Sequence, residues 1–185
     1  LRGGPTVYYG DEKGMTGTGG DKAARQDMFP TQVIDWQSEV RIGGSPIGTK
    51  SAFNVTNPLE KNLSELQALT AKYPALRSGT QQLRYANDGS FAVSRYAGKQ
   101  EFLVAFNGRD AEAKLNLNVS TADSKWSVLS GNANDVAATG KSVAMTLPAR
   151  SWVVLKADNE FAPTTKLAIT LNKPAVDIRT SEYYI

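Results

Sequence analysis

Along residues 81–158 apolar side chains recur at every second position, and turn residues interrupt them at short intervals. Side chains alternate across a strand and tight turns join antiparallel neighbours, so this pattern admits little besides an antiparallel β structure. Leu83 and Tyr85 lead to Asn87-Asp88-Gly89, a strong hairpin signal, and Phe91, Val93 and Arg95 return from it. Gly98 and Lys99 make the next turn, after which Phe102, Val104 and Phe106 alternate up to Asn107-Gly108. Leu115, Leu117 and Val119 alternate strictly with Lys114, Asn116 and Asn118, which predicts a strand with one wet face. Trp126 and Val128, then Val143, Met145 and Leu147, then Trp152 to Leu155 bring the total to about seven strands with turns every ~8–12 residues. The expected fold is mostly β: an antiparallel β-sandwich over 81–158 whose apolar positions, aromatics included, face inward as its core.

The first eighty residues read differently. Pro5-Thr6-Val7-Tyr8-Tyr9, between Gly3-Gly4 and Gly10, reads as a short buried strand. Residues 10–50 are rich in Gly, Asp and Thr with weak periodicity, a loop longer than the ~15 residues usual in compact domains and therefore a candidate functional segment. A helix comes next. Asn57 can cap it, Pro58 suits its first position, and Glu60 sits three residues after the cap. Leu59, Leu63, Leu66, Leu69 and Tyr73 line one face, and Pro74 stops the helix. Residues 1–80 thus amount to one βα unit, which cannot by itself bury both faces of a parallel-type strand. Residues 159–185 begin with a Pro-Thr-Thr linker and alternate at Leu167, Ile169 and Leu171, the expected start of a further β module too short to be a domain.

Composition narrows the chemistry. Cysteine and histidine are both absent. Disulfides, thiolate nucleophiles, Ser-His-Asp triads and nearly all zinc chemistry are excluded with them. The 21 basic and 18 acidic side chains leave a net charge of +3 with no basic run, so no nucleic acid partner is expected. No apolar stretch approaches the ~18 residues of a membrane span, so no membrane partner is expected either. The chain opens on Leu1 rather than Met and carries no signal peptide, so it reads as an internal segment of a longer protein.

Several short patterns invite a site and have a plainer reading beside it. Gly43 to Ser51 almost fits a phosphate-binding loop, but Thr49 stands where the lysine must be and Lys50 comes one position late. Gly17 to Gly20 lacks the third glycine of a dinucleotide turn. The Asn54, Asn62 and Asn118 glycosylation sequons arise readily by chance in an Asn-rich chain. Asp11 and Glu12 are adjacent carboxylates at a strand end, suited to chemistry or to holding loop backbone. Asp21 and Arg25, four apart, share one face of a helical turn. They can form a structural ion pair, or clamp adjacent sugar hydroxyls, since one accepts and the other donates. Asp27, Asp35 and Glu39 carry oxygens for a cation but are too scattered to define a metal site.

These residues carry a resemblance. Arg2-Gly3-Gly4-Pro5-Thr6-Val7-Tyr8-Tyr9-Gly10-Asp11-Glu12 resembles the eighth barrel strand of the α-amylase family, glycoside hydrolase family 13. The Gly-rich loop with Asp21 and Arg25, continuing as Gln26-Asp27-Met28-Phe29, resembles the segment after that strand in the family. A helix and then an all-β C-terminal domain come next in the family, as they do here. The resemblance spans about residues 1–158, and implies the last strand, loop and helix of an incomplete (β/α)8 barrel over 1–80 and a C-terminal sandwich over 81–158.

The resemblance further implies a parent enzyme that cleaves α-glucosidic bonds with retention, using two carboxylates on either side of the scissile bond. The family's catalytic carboxylates and active-site histidines precede Leu1, so no catalytic residue is assigned. Asp21 and Arg25 match an Asp-x-x-x-Arg pair that holds a sugar on the non-reducing side of the cleavage point in many members. The insert over 31–49 departs from the family's common short form. Expected partners are an α-glucan and the rest of the barrel. No cofactor is expected in this segment, calcium is left open for the parent enzyme, and the absence of cysteine is compatible with a secreted or extracellular bacterial setting. A second reading is a sugar-binding or structural β-module without hydrolase activity, with Trp126, Trp152, Tyr85 and Tyr96 as candidate stacking surfaces or core residues. A third is self-association through an unpaired strand edge.

Overall fold

The computed structural model describes residues 3–17, 19–48 and 50–162. The further β module expected over 159–185 lies almost wholly outside the described residues, as does Thr49.

Among the described residues, eight antiparallel strands come after three α-helices and two short 3-10 turns, Asp11–Lys13 and Ala52–Asn54. The helices are α1 (Ile34–Gln37), α2 (Pro58–Lys72) and α3 (Ala75–Ser78). The strands are β1 (Thr80–Asn87), β2 (Ser90–Ala97), β3 (Gln100–Asn107), β4 (Ala113–Asn118), β5 (Lys125–Gly131), β6 (Val136–Thr139), β7 (Ser142–Leu147) and β8 (Ser151–Ala157). They form one sheet in the order β1-β2-β3-β8-β5-β6-β7-β4. The sheet curls until its end strands β1 and β4 approach each other, so the expected antiparallel domain is a nearly closed wall. The strand missed by periodicity is β6, four residues of Val, Ala and Thr with no large apolar side chain but Val136.

The turns are those the sequence marks. Asn87 pairs with Ser90 across Asp88 and Gly89, both at positive φ (47° and 68°). That is the two-residue hairpin whose twist suits neighbouring strands. Gly98-Lys99 and Gly140-Lys141 close two more two-residue hairpins.

Two apolar cores lie on opposite faces of β2, β3 and β8. The inner one gathers Ala92, Leu103, Ala105, Leu115, Leu117, Val119, Trp126, Val143, Leu147, Val153 and Leu155. The outer one gathers Val93, Phe102, Val104 and Val154 under Ala75 and Leu76 of α3, with Leu69, Tyr73, Phe91, Phe106 and Trp152 packed at its edge. This corrects the expectation that the alternating aromatics face inward. Period 2 says that a strand has two faces, but not which face meets the interior. The nearly closed wall takes aliphatic side chains and the Trp126 indole inside, with Tyr85 packed on them, and Phe91, Phe102 and Phe106 join the outer core.

A polar cluster joins the two ends of the sheet. Glu101 of β3 is fully buried. Its carboxylate accepts from the Ser94 hydroxyl (2.5 Å), the Ser120 and Thr121 amides (2.9 and 2.7 Å), the Thr121 hydroxyl (2.9 Å) and the Arg84 guanidinium (3.0 Å). Arg84 also donates to Ser120 Oγ (2.7 Å) and to Tyr96 Oη. Arg84 sits on β1, and Ser120 lies just past the end of β4. The ladder slips between Leu83 and Tyr85, which leaves Arg84 as the extra residue of a bulge. Leu83 pairs with Val93 of the outer core, so Arg84 falls on the inner side with Gln82, facing Ser94 and Glu101, and the bulge brings Tyr85 back to that same side opposite Ala92. Burial raises the Glu101 pKa, but the hydrogen bonds from Ser94, Ser120 and Thr121 outweigh it and hold the carboxyl below its ordinary value.

The strand expected over residues 5–9 is not formed. Val7, Tyr8 and Tyr9 are 54%, 52% and 46% exposed. A strand needs a neighbour to take its backbone hydrogen bonds, and no described strand lies beside this run. The helix signal is met in full: Asn57 caps α2 by accepting from the Leu59 amide (2.9 Å), and Pro58 opens it. No residue of α2 is fully buried, so its leucine face is only half covered.

Two outcomes are expected. A depressed carboxyl pKa gives stability that is present above the unfolded-state pKa and is lost as pH falls toward the folded-state value. Thermal melts of the chain at successive acid pH values should therefore fall through and below the ordinary carboxylate range. Glu101→Gln should flatten that fall, and Glu101→Ala should cost about 3–5 kcal/mol at neutral pH by stranding Arg84. An acid limb unchanged in Glu101→Gln contradicts this. Trp126, with no exposed surface, should cost about 3–5 kcal/mol in urea unfolding when changed to Ala.

Candidate functional site

The long loop over residues 10–57 folds without an apolar core of its own, and buried polar groups hold it together. Its first turn is Asp11–Lys13. The Asp11 carboxylate accepts from the Tyr8 amide and the Glu12 carboxylate from the Gly10 amide, each at 3.0 Å. The adjacent acids therefore hold loop backbone, the plainer of their two readings.

Three distant stretches are knotted at the loop base. Lys13 is 4% exposed, and its ammonium donates to the Val55 carbonyl (3.0 Å) and to Glu60 of α2 (2.7 Å). The Asn57 amide donates to the carbonyls of Lys13 (3.0 Å) and Ile42 (2.9 Å) while its oxygen caps α2. One buried side chain thus ties the start of the loop, its middle and the helix. Farther along, Arg41 donates to the Ser45 carbonyl (2.9 Å), and Gln26 donates to the Glu39 carboxylate in a buried contact. Sequence reasoning missed Lys13 and Gln26 and gave Asn57 only its capping role. A lysine between loop glycines carries no periodic signal, and its buried position depends on contacts more than forty residues away in the chain.

Beyond this base the chain makes a tight turn. Gly17, at φ 69°, lies so close to Ala24 that a Cβ there would stand 2.7 Å from its Cα. Asp21 and Arg25 sit on the turn as the expected pair. Arg25 Nε donates to Asp21 Oδ1 (3.3 Å), and its terminal nitrogen donates to Oδ2. The side chains are 76% and 62% exposed. The pair is bidentate and open to solvent, so each group keeps unused capacity, acceptor lone pairs on the carboxylate and N–H donors on the guanidinium.

The other candidates separate by position. Among the described residues no group of three or more acidic side chains lies close enough to share a metal ion, and Glu39 is turned to Gln26 instead of toward Asp27 or Asp35. Trp126 belongs to the inner core and Trp152 to the edge of the outer one, Tyr85 packs on the inner core, and Tyr96 joins the Glu101 cluster. Trp126 is fully buried and the other three are half-buried. The exposed apolar side chains lie elsewhere, among them Tyr8, Tyr9, Phe29, Ile34, Ile42 and Phe53. All six belong to residues 3–57. Phe29 and Phe53 meet edge to face at 5.4 Å.

No family model matches the chain. An α-amylase of Streptomyces lividans is 38% identical over 179 residues, which is 94% of this chain and 20% of that protein. Among solved structures, an Anoxybacillus α-amylase superposes with a TM-score of 0.50 at 21% identity, over 67% of this chain and 27% of that one. An α-amylase from Geobacillus thermoleovorans complexed with acarbose gives a TM-score of 0.52 at 18% identity, over 63% and 27% of the two chains. At such identities the structures speak for the fold alone. The chain spans about a fifth of the length of the curated relatives it matches. With the sequence likeness and the shared β-rich C-terminal fold taken together, the chain belongs to the α-amylase family, glycoside hydrolase family 13, as a C-terminal part of such an enzyme.

Proposed function

We propose that this chain serves a retaining α-glucan hydrolase in two ways: its β structure supports the catalytic barrel, and its long loop contributes the Asp21–Arg25 pair to substrate binding. The observation that carries the reading is the solvent-facing, bidentate pair on a turn whose base is anchored by buried polar groups. The Asp21 carboxylate accepts a sugar hydroxyl, and the Arg25 guanidinium donates to a neighbouring sugar oxygen. Each holds the other in place, so little side-chain freedom is lost on binding. The family's Asp-x-x-x-Arg pattern supports placing this contact on the non-reducing side of the cleavage point.

The exposed apolar side chains of residues 3–57 support the partnership with the barrel. Tyr8, Tyr9, Ile34 and Ile42 would be covered by neighbouring strands and helices of the parent enzyme. The catalytic carboxylates belong to that remainder. Any calcium is held there too, and a secreted or extracellular bacterial setting is part of the same reading. The alternative of a carbohydrate-binding module is less favoured, because the four aromatic candidates are taken up by packing and hydrogen bonds.

Incubating the chain with starch or pullulan should release no reducing sugar, and measurable release refutes the reading. In the full-length enzyme Asp21→Ala should raise KM for maltooligosaccharides roughly tenfold, the weight of one charged hydrogen bond. Its kcat should change little, because the pair binds sugar away from the reacting bond.

A further inference from the structure

Among the described residues of the turn 16–25, the hydrogen bonds stay inside the turn: Ala24 to Gly20, Arg25 to Lys22, and the Asp21–Arg25 pair. The turn therefore takes its place from the groups that hold the chain just before and just after it. Before it stands Lys13, whose buried ammonium grips the Val55 carbonyl and Glu60 on the first turn of α2. After it stands Gln26, the residue next to Arg25, 2% exposed and donating to the buried Glu39. We propose that Lys13 and Gln26 are positioning residues for the Asp21–Arg25 sugar clamp, fixing its two ends relative to α2 and to the loop core. This rests on the reading of the pair as a sugar contact.

The chemistry of the anchors favours placement over bulk stability. A lysine pair whose partner Glu60 is half exposed adds little net stability, since desolvation offsets much of the attraction. The buried contacts of Lys13 and Gln26 tie the chain to one place, because moving either would strand its buried nitrogen, although Gln26 Oε1 and Glu39 Oε1 have no partner in this arrangement. A clamp made of two charged groups depends on such fixing: displaced by about an ångström, it meets the sugar hydroxyls at poor distance and angle.

The test is a set of double-mutant cycles in the full-length enzyme, with KM and kcat measured on soluble maltooligosaccharides and a melting curve for each variant. Lys13→Met and Gln26→Leu should each raise KM roughly three- to tenfold while kcat stays within about twofold. In the Asp21→Ala background the same changes should add almost nothing to KM, because the clamp they orient is already lost. Lys13→Arg should restore most of the wild-type KM. Glu60→Gln, on the half-exposed partner, is the milder variant should Lys13→Met fail to fold, and it should show the same non-additive rise. If KM is unchanged in the anchor variants, or if their effects add fully to that of Asp21→Ala, the anchors are structural and the proposal is overturned. If Asp21→Ala itself leaves KM unchanged, the clamp reading falls, and that result is distinct from an anchor failure.

Discussion

Glu101 is a charged group with no access to water, and the β structure is arranged around it. An isolated buried carboxylate costs several kcal/mol, so every one of its partners has to be in place at once. Those partners come from β1, β2 and the segment after β4, which are the two ends of the sheet and the strand next to one end. β1 and β4 share no ladder, so the cluster does at the seam the job that backbone pairing does elsewhere. The bulge after Leu83 leaves Arg84 on the inner side of β1 and brings Tyr85 back to that same side, where it packs on the inner core. At the other end of β3, Asn107 donates to the Ala111 and Pro148 carbonyls and accepts from the Arg109 amide, so the connections there are pinned in a similar way.

The two parts of the chain are held by different physics. Residues 75–157, with Leu69 and Tyr73 of α2, bury two apolar cores against a hydrogen-bonded sheet, the usual source of independent stability. Residues 3–57 bury Lys13, Gln26, Glu39, Arg41 and Asn57 while leaving Tyr8, Phe29, Ile34 and Phe53 in solvent. That inversion is what the proposed docking against the rest of the parent enzyme requires of this segment. On this account the β structure stands alone, and the first part takes its final form against the barrel.

Much of this was legible in the sequence, and the failures have identifiable causes. The hairpin at Asp88-Gly89, the strict alternation of β4 and the capped start of α2 were readable because each depends on local chemistry. The run at residues 5–9 has strand-forming residues, but a strand is a property of a pair. The side taken by Phe91, Phe102 and Phe106 was unreadable because it depends on the outer core, which residues of α2 and α3 complete from outside the sheet. The Asp21–Arg25 pair showed itself by its spacing of four, whereas Lys13 and Gln26 did not. Their partners lie 47 and 13 residues away, and no spacing rule reaches that far.

Amide hydrogen exchange on the chain compared with the full-length enzyme tests the division most directly. The account predicts slow exchange across residues 80–157 in both, with residues 3–57 exchanging fast in the chain alone and slowly in the enzyme. Equal, strong protection of both parts in the chain alone would show that residues 3–57 are complete without the barrel, and would contradict the account.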